Sequence, residues 1–134
     1  MATVKRMTYF KAIVEDKPGA LLALVRNLKE NNLGLVGMKG VAQGTHGDVL
    51  VIPKDPDKLR ISWRAVGNLV EEGTLFFVSG TDTTGALLTS LEALTNIGVN
   101  VVAIEGAAVG GKYGAFLWVA PEDLDRTSEA LGAQ

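Results

Sequence analysis

Asp16-Lys17-Pro18-Gly19-Ala20-Leu21-Leu22 and Asp82-Thr83-Thr84-Gly85-Ala86-Leu87-Leu88 are one stretch met twice, with an offset of 66 from residue 16 to residue 82. Working outward, Thr8 and Phe10 fall on Thr74 and Phe76, Leu28 on Leu94, Val36 on Val102, Gly40 on Gly106 and Ala42 on Ala108. One extra residue near Gly110-Gly111 is read as moving the offset to 67, so that Gly47 meets Gly114 and Leu50 meets Leu117. A fixed period of this kind signals a duplicated supersecondary unit and fixes the architecture first. The chain divides on this reading into repeats at 1–72 and 73–134.

Each repeat parses alike. Tyr9 to Val14 is aromatic and β-branched and reads as a strand. Asp16-Lys17-Pro18-Gly19 breaks it and opens a helix whose apolar face is Leu21, Leu22, Val25 and Leu28. A strand follows from Leu33 to Lys39, then a turn at Gly44-Thr45-His46-Gly47, then a strand from Asp48 to Ile52 closed by Pro53 and Pro56. Asp57 is expected to cap a second helix carrying Leu59, Trp63, Val66 and Val70 inward. The second repeat gives strand Leu75 to Ser79, helix Ala86 to Asn96, strands Val99 to Glu105 and Ala115 to Val119, and a last helix near Pro121 with Leu124 and Leu131 inward.

The order β-α-β-β-α, twice, predicts an α+β fold of two tandem ferredoxin-like repeats, each an antiparallel sheet with its helices on one face. A full ferredoxin-like unit is βαββαβ, so a fourth strand is missing from each repeat or supplied elsewhere. Its absence would leave both first strands with unpaired edges, and such edges seek partners. The two edges pair with each other or with a second chain; sequence leaves both open.

Composition removes whole classes of function. The chain has no cysteine and one histidine, which excludes thiolate chemistry and most metal sites, and neither metal nor cofactor is expected. Net charge is −2 and no Lys/Arg run exceeds Lys5-Arg6, so a nucleic-acid surface is not expected. The first residues lack a signal-peptide core and no stretch approaches a membrane span, which points to a cytoplasmic protein without membrane contact.

The recurring loop carries the chemistry. A helix N-terminus offers orphan N–H groups and a partial positive charge to a carboxylate. Glycine at its start admits a ligand close to the backbone. A nearby aspartate can receive an ammonium group, so the loop suits a zwitterion such as an α-amino acid. The competing reading is that Asp16 and Asp82 simply cap their helices.

Asp16 to Leu21, the amphipathic helix, and Asn31-Asn32-Leu33-Gly34-Leu35 together resemble the ACT domain, in two copies spanning nearly the whole chain. That resemblance implies a regulatory module that binds amino acids at an interface between such domains, between this loop and the neighbour's second strand. The residues it implicates are Asp16, Pro18, Gly19, Ala20 and Leu21, with Asp82, Gly85, Ala86 and Leu87 in the second copy, and Met38 and Ile104 on the second strands. The second copy departs from the first at Thr83-Thr84 and at Gly98, where the first has Lys17-Pro18 and Asn32. The resemblance implies no catalysis and a separate regulated enzyme or transcription factor as partner, and the open edges of the first strands favour a homodimer. Two alternatives stand beside it: a ligand-free oligomerisation module, and a small enzyme on the ferredoxin-like scaffold.

Other features are read as structural. Gly106 to Tyr113 lacks the Ser/Thr and the following helix of a phosphate-binding loop, and reads as a hairpin turn. His46 is expected in an exposed turn, and Trp63 and Trp118 in the core. No serine lies in a nucleophile-elbow pattern.

Overall fold

The computed structural model describes residues 2–81 and 83–134. Six strands and four α-helices follow the order β1 (Thr3–Glu15), α1 (Ala20–Glu30), β2 (Leu35–Ala42), β3 (His46–Pro53), α2 (Pro56–Val66), β4 (Glu71–Gly80), α3 (Thr83–Asn96), β5 (Val101–Val109), β6 (Lys112–Val119) and α4 (Leu124–Leu131), the last preceded by a 3-10 turn at Pro121–Asp123. The fold is α+β and ferredoxin-like, as the element order predicts. No described helix is long and apolar enough to cross a membrane.

The chain forms two compact units, one being Thr8–Gly73 and the other the chain up to Met7 together with Thr74–Gln134. In the first, β3 lies between β1 and β2, antiparallel to both, with Val51 opposite Phe10 and Met38. In the second, β6 lies between β4 and β5, with Leu117 opposite Phe76 and Ile104. These pairings keep the offset of 66 through the third strand of each unit. The shift to 67 at Gly110-Gly111 does not occur; both glycines take positive φ, 58° and 76°, as the central pair of a two-residue hairpin.

The missing fourth strands are found in the first strands themselves, which are longer than Tyr9–Val14 and Leu75–Ser79. β1 and β4 are hydrogen-bonded neighbours, and each is divided between the units. Val70 N–H donates to Lys11 O at 3.0 Å, leading Glu71–Gly73 alongside β1. In the other unit Val4 is buried in the core, and Gln134 pairs back through Arg6 N–H to Gln134 O and Gln134 N–H to Val4 O.

Each unit buries one sheet face under two helices. Phe10, Ala12, Val49 and Val51 meet Leu24 and Leu28 of α1 and Leu59 and Trp63 of α2. Val4, Phe76, Val78, Leu117 and Val119 meet Ala86 and Leu94 of α3, with Leu124 and Leu131 of α4 packed on them. Trp118 is buried as well. The inward face of α1 differs from the expected one: Leu24 and Leu28 are 7% and 2% exposed, while Leu21, Leu22 and Val25 are 47%, 58% and 42%. One sheet face accepts one stripe of a helix, and Leu22 and Val25 lie round the helix from the Leu24–Leu28 row. In α2 likewise Val66 and Val70 are exposed, because Gly67, at φ 72°, ends the helix before Val70.

All four helices end on one device. A left-handed residue follows the last turn, and the next N–H reaches five residues back: Leu33 to Leu28 after Asn32, Asn68 to Trp63 after Gly67, Val99 to Leu94 after Gly98, Ala133 to Ser128 after Gly132. Asn32 and Gly98, which differ between the repeats, thus take the same left-handed conformation. At the start of α2 the cap is Asp55, whose carboxylate accepts from Lys58 N–H at 3.2 Å; Pro56 occupies the first helical position. Asp57 instead pairs with Arg60, which also bonds Glu72 and lies over the Phe10 ring at 5.5 Å.

Two outcomes follow. Asp55→Ala should lower stability by about 1 kcal/mol in chemical denaturation, and Asp57→Ala by less than about half of that, since Asp57 is itself exposed. Tyr9, packed against Gly73, has its hydroxyl pKa raised by burial and then by Glu71. A folded-state pKa above the unfolded 10.0 gives stability that is whole below that pH and is lost as pH rises through the folded value. Melting temperature followed from pH 9 upward should therefore fall less steeply in Tyr9→Phe than in the native chain.

Candidate functional site

The site is built at the end of β1. After Glu15 the chain leaves the sheet; Asp16 N–H donates to Thr45 O at 3.4 Å, which ties the loop to the β2–β3 hairpin. That hairpin is closed by Gln43 N–H to His46 O at 2.7 Å, with Gly44 at φ 83°. Lys17 Nζ meets Glu15 Oε2 at 2.8 Å on the surface. Hydrogen bonding and charge in this pair hold the Glu15 carboxyl below its ordinary range and the Lys17 ammonium above its own.

Gly19, at φ 91°, turns the chain into α1. No side chain caps the helix. The first helical bond runs from Ala23 N–H to Gly19 O, and Ala20 N–H is taken by Lys17 O. The amides of Leu21 and Leu22 are then the orphan donors of the first turn. Asp16, three residues before Gly19, is exposed and does not serve as the cap.

An open cleft of about 190 Å³ lies between this loop and the hairpin. Val14, Glu15, Asp16 and Lys17 form one wall, Ala20 and Leu21 another, and Gly40, Val41, Ala42, Gly47, Asp48 and Val49 the third. Asp48 Oδ2 is 3.4 Å from Lys11 Nζ, and its buried Oδ1 is 3.5 Å from His46 Nε2 without a hydrogen bond. His46 is half-buried at the start of β3 rather than fully exposed. The lining residues carry the carboxylates of Glu15, Asp16 and Asp48, the ammonium of Lys17 and apolar side chains, and no hydroxyl, thiol or imidazole. No group of three or more metal-binding side chains occurs among the described residues.

The sequence-predicted residues divide. Asp16, Ala20 and Leu21 line the cleft, and Pro18 and Gly19 form the exposed turn between them. Met38 lies further along β2, packed on the core, and the wall is made instead by Gly40–Ala42. The walls from Val41, Ala42 and Asp48 were not foreseen; the only sequence signal is that Gly47 brings the chain back beside the loop. In the second unit α3 begins at Thr83, three residues earlier than α1 in register, so Gly85, Ala86 and Leu87 lie within the helix. Ala86 is buried in the core, and Ile104 is exposed on β5. Asp82 lies outside the described residues.

No protein-family model matches the chain, and no curated protein does. Solved structures do. Protein BT0572 from Bacteroides thetaiotaomicron matches with TM-score 0.81 at 21% identity, over 98% of this chain and 88% of that one. The ligand-free regulatory subunit of aspartate kinase from Thermus thermophilus matches with TM-score 0.64 at 12% identity, over 98% and 95%. Aspartate kinase from Clostridium acetobutylicum matches with TM-score 0.56 at 16% identity, over 97% of this chain and 33% of the enzyme. At these identities the likeness is one of fold, α+β and ferredoxin-like.

Proposed function

We propose that this chain is a non-catalytic regulatory module, two ACT repeats in tandem, that binds an α-amino acid and acts as a homodimer on a separate enzyme or transcription factor. The observation that carries the ligand reading is at Asp16. The helix it precedes starts on Gly19 with no side-chain cap, so the Asp16 carboxylate is not consumed by the structural role that competes for it. Asp16 lines the cleft together with Ala20 and Leu21 of the first helical turn. A ligand carboxylate docks on Leu21 and Leu22 N–H, where the helix dipole favours negative charge. The ammonium docks on Asp16, and an apolar side chain lies against Val14, Leu21 and Val41. The likeness of fold to regulatory subunits supports the regulatory half of the reading. The second-copy counterparts Gly85, Ala86 and Leu87 lie within α3, with Ala86 buried, so the proposed ligand belongs to the first copy.

A thermal-shift screen of the twenty amino acids identifies the ligand, since binding to the native state alone raises the melting temperature. Asp16→Ala should weaken that ligand by about 10- to 150-fold in calorimetry, the value of a charge-assisted hydrogen bond of roughly 1.5–3 kcal/mol. The melting temperature of the ligand-free variant should stay at the native value. Gly19→Ala should do the reverse to stability, costing about 1–2 kcal/mol through left-handed strain. A screen with no hit, or Asp16→Ala binding at native affinity, would return the chain to the oligomerisation reading.

A further inference from the structure

A glycine within a strand has no side chain to pack, and this chain lays aromatic rings on such positions. Tyr9 lies on Gly73, where a Cβ would meet the ring at 2.5 Å. Phe77 lies on Gly114, where a Cβ would meet its ring at 2.7 Å. Tyr113 reaches along β5, so that a Cβ on Gly106 would stand 2.6 Å from its hydroxyl. A flat ring over a strand glycine restores the packing that the missing side chain forgoes. Gly40 of β2 differs, for a Cβ there would meet nothing within 4 Å. Nor is Gly40 among the left-handed glycines, so its backbone does not demand the residue. Close approach of another group to the strand is the remaining use of a glycine.

The register sets Gly40 against the ring of the second unit. Gly40 pairs with Val49 and Ala42 with Gly47; Gly106 pairs with Ala115 and Ala108 with Tyr113. At the offset of 66, Gly40, Ala42, Gly47 and Val49 are the equivalents of Gly106, Ala108, Tyr113 and Ala115. All four first-unit residues line the cleft beside Asp16. Alternate strand residues share a face, which puts Tyr113 on the face of Leu117 and Gly47 on that of Val51, the faces that carry the two cores. The second unit thus seats its own phenol on the strand pair whose counterpart in the first unit is the wall of an open cleft. Glycine at position 47 leaves that wall bare.

We infer, on the reading of this cleft as an amino-acid site, that its ligand is an aromatic α-amino acid whose ring lies flat on Gly40 beside Ala42 and Gly47. Val14, Leu21 and Val41 accept any apolar side chain. Gly40 and Gly47 supply the selection, because a planar ring reaches a strand backbone only where no Cβ stands.

Calorimetry on the full chain tests it. L-Phenylalanine should bind at least about 30-fold more tightly than L-alanine, through burial of the ring. L-Cyclohexylalanine, equal in carbon count but not flat, should bind about tenfold less tightly than L-phenylalanine. Gly40→Ala and Gly40→Val should weaken L-phenylalanine in steps, the second by at least about tenfold. Neither should lower the denaturation midpoint, because the added atoms enter open space on a strand. Gly47→Tyr, which gives the first unit the residue of the second, should remove binding in a chain that still folds by circular dichroism. A glycine needed only for the fold predicts the reverse, a lower midpoint with affinity unmoved. Native affinity for L-phenylalanine in Gly40→Val, or L-leucine or L-cyclohexylalanine bound as tightly as L-phenylalanine, would overturn the inference and leave the amino-acid site standing. Absence of binding by every amino acid would overturn both.

Discussion

The hydrogen bonds between β1 and β4 are what the rest of the molecule depends on. A βαββα unit leaves one edge of its first strand open, and an open edge of aromatic and β-branched residues invites foreign strands. Here each first strand runs beyond its own unit. β1 gives Val4 to one core and Phe10 and Ala12 to the other, and Glu71–Gly73 of β4 travels with the unit that precedes it. The unit that Val4 completes is therefore not a contiguous segment of chain, whereas Thr8–Gly73 is. Val4 and the Arg6–Gln134 hydrogen bond make the unit that ends at residue 134 depend on residues near the start. An excised 73–134 segment lacks the strand that covers Phe76 and Val78.

That sharing explains which strand ends were legible. Within Tyr9–Val14 the side chains announce a strand by themselves, since alternate residues must fill a core. From Thr3 to Thr8 only Val4 is buried, and Lys5-Arg6 reads as surface. What extends the strand there is a backbone ladder to a distant segment, and backbone bonding leaves no mark in side-chain type. Glu71-Glu72-Gly73 is hidden for the same reason. The identities Gly47–Gly114 and Leu50–Leu117 misled in the opposite sense. They suggested an inserted residue, whereas the ladder sets Val51 and Leu117 in the same place. A hairpin's register is fixed by its turn, and Gly110-Gly111 makes a two-residue turn without insertion.

The candidate site was half legible for a related reason. Asp16 to Leu21 is local sequence, and Asp16, Ala20 and Leu21 line one cleft in the structure. The facing wall is not local. Which residues of β2 reach the cleft depends on where the hairpin folds back, and the bend at Gln43–His46 brings Gly40–Ala42 there while Met38 stays on the core. The face of α1 was misjudged because consecutive leucines satisfy a helical pattern in more than one rotation. Burying a leucine is worth roughly 1.5–3 kcal/mol, but two neighbouring stripes cannot both reach one sheet. The stripe that loses, Leu22 and Val25, stays exposed.

Lys17-Pro18 against Thr83-Thr84 separates the two loops more deeply than a change of side-chain chemistry. Proline disfavours the α conformation in the residue before it, so Lys17 is pushed out of a helix. Gly19 then adopts a left-handed turn, and α1 cannot begin before Ala20. The backbone from Asp16 to Gly19 is held off the helix axis, and the cleft opens beneath it. With Thr84 where Pro18 stands, nothing forbids the helix from extending backward, and α3 starts at Thr83 with Gly85 inside it. Thr89 Oγ1 donates to Gly85 O at 3.1 Å within that added turn. Gly85 is a poor helix residue, costing about 1 kcal/mol against alanine, yet the extra turn forms without a proline to stop it. Between units of the same plan, the residue after Lys17 decides whether the segment following the first strand is a turn of helix or the wall of a cleft.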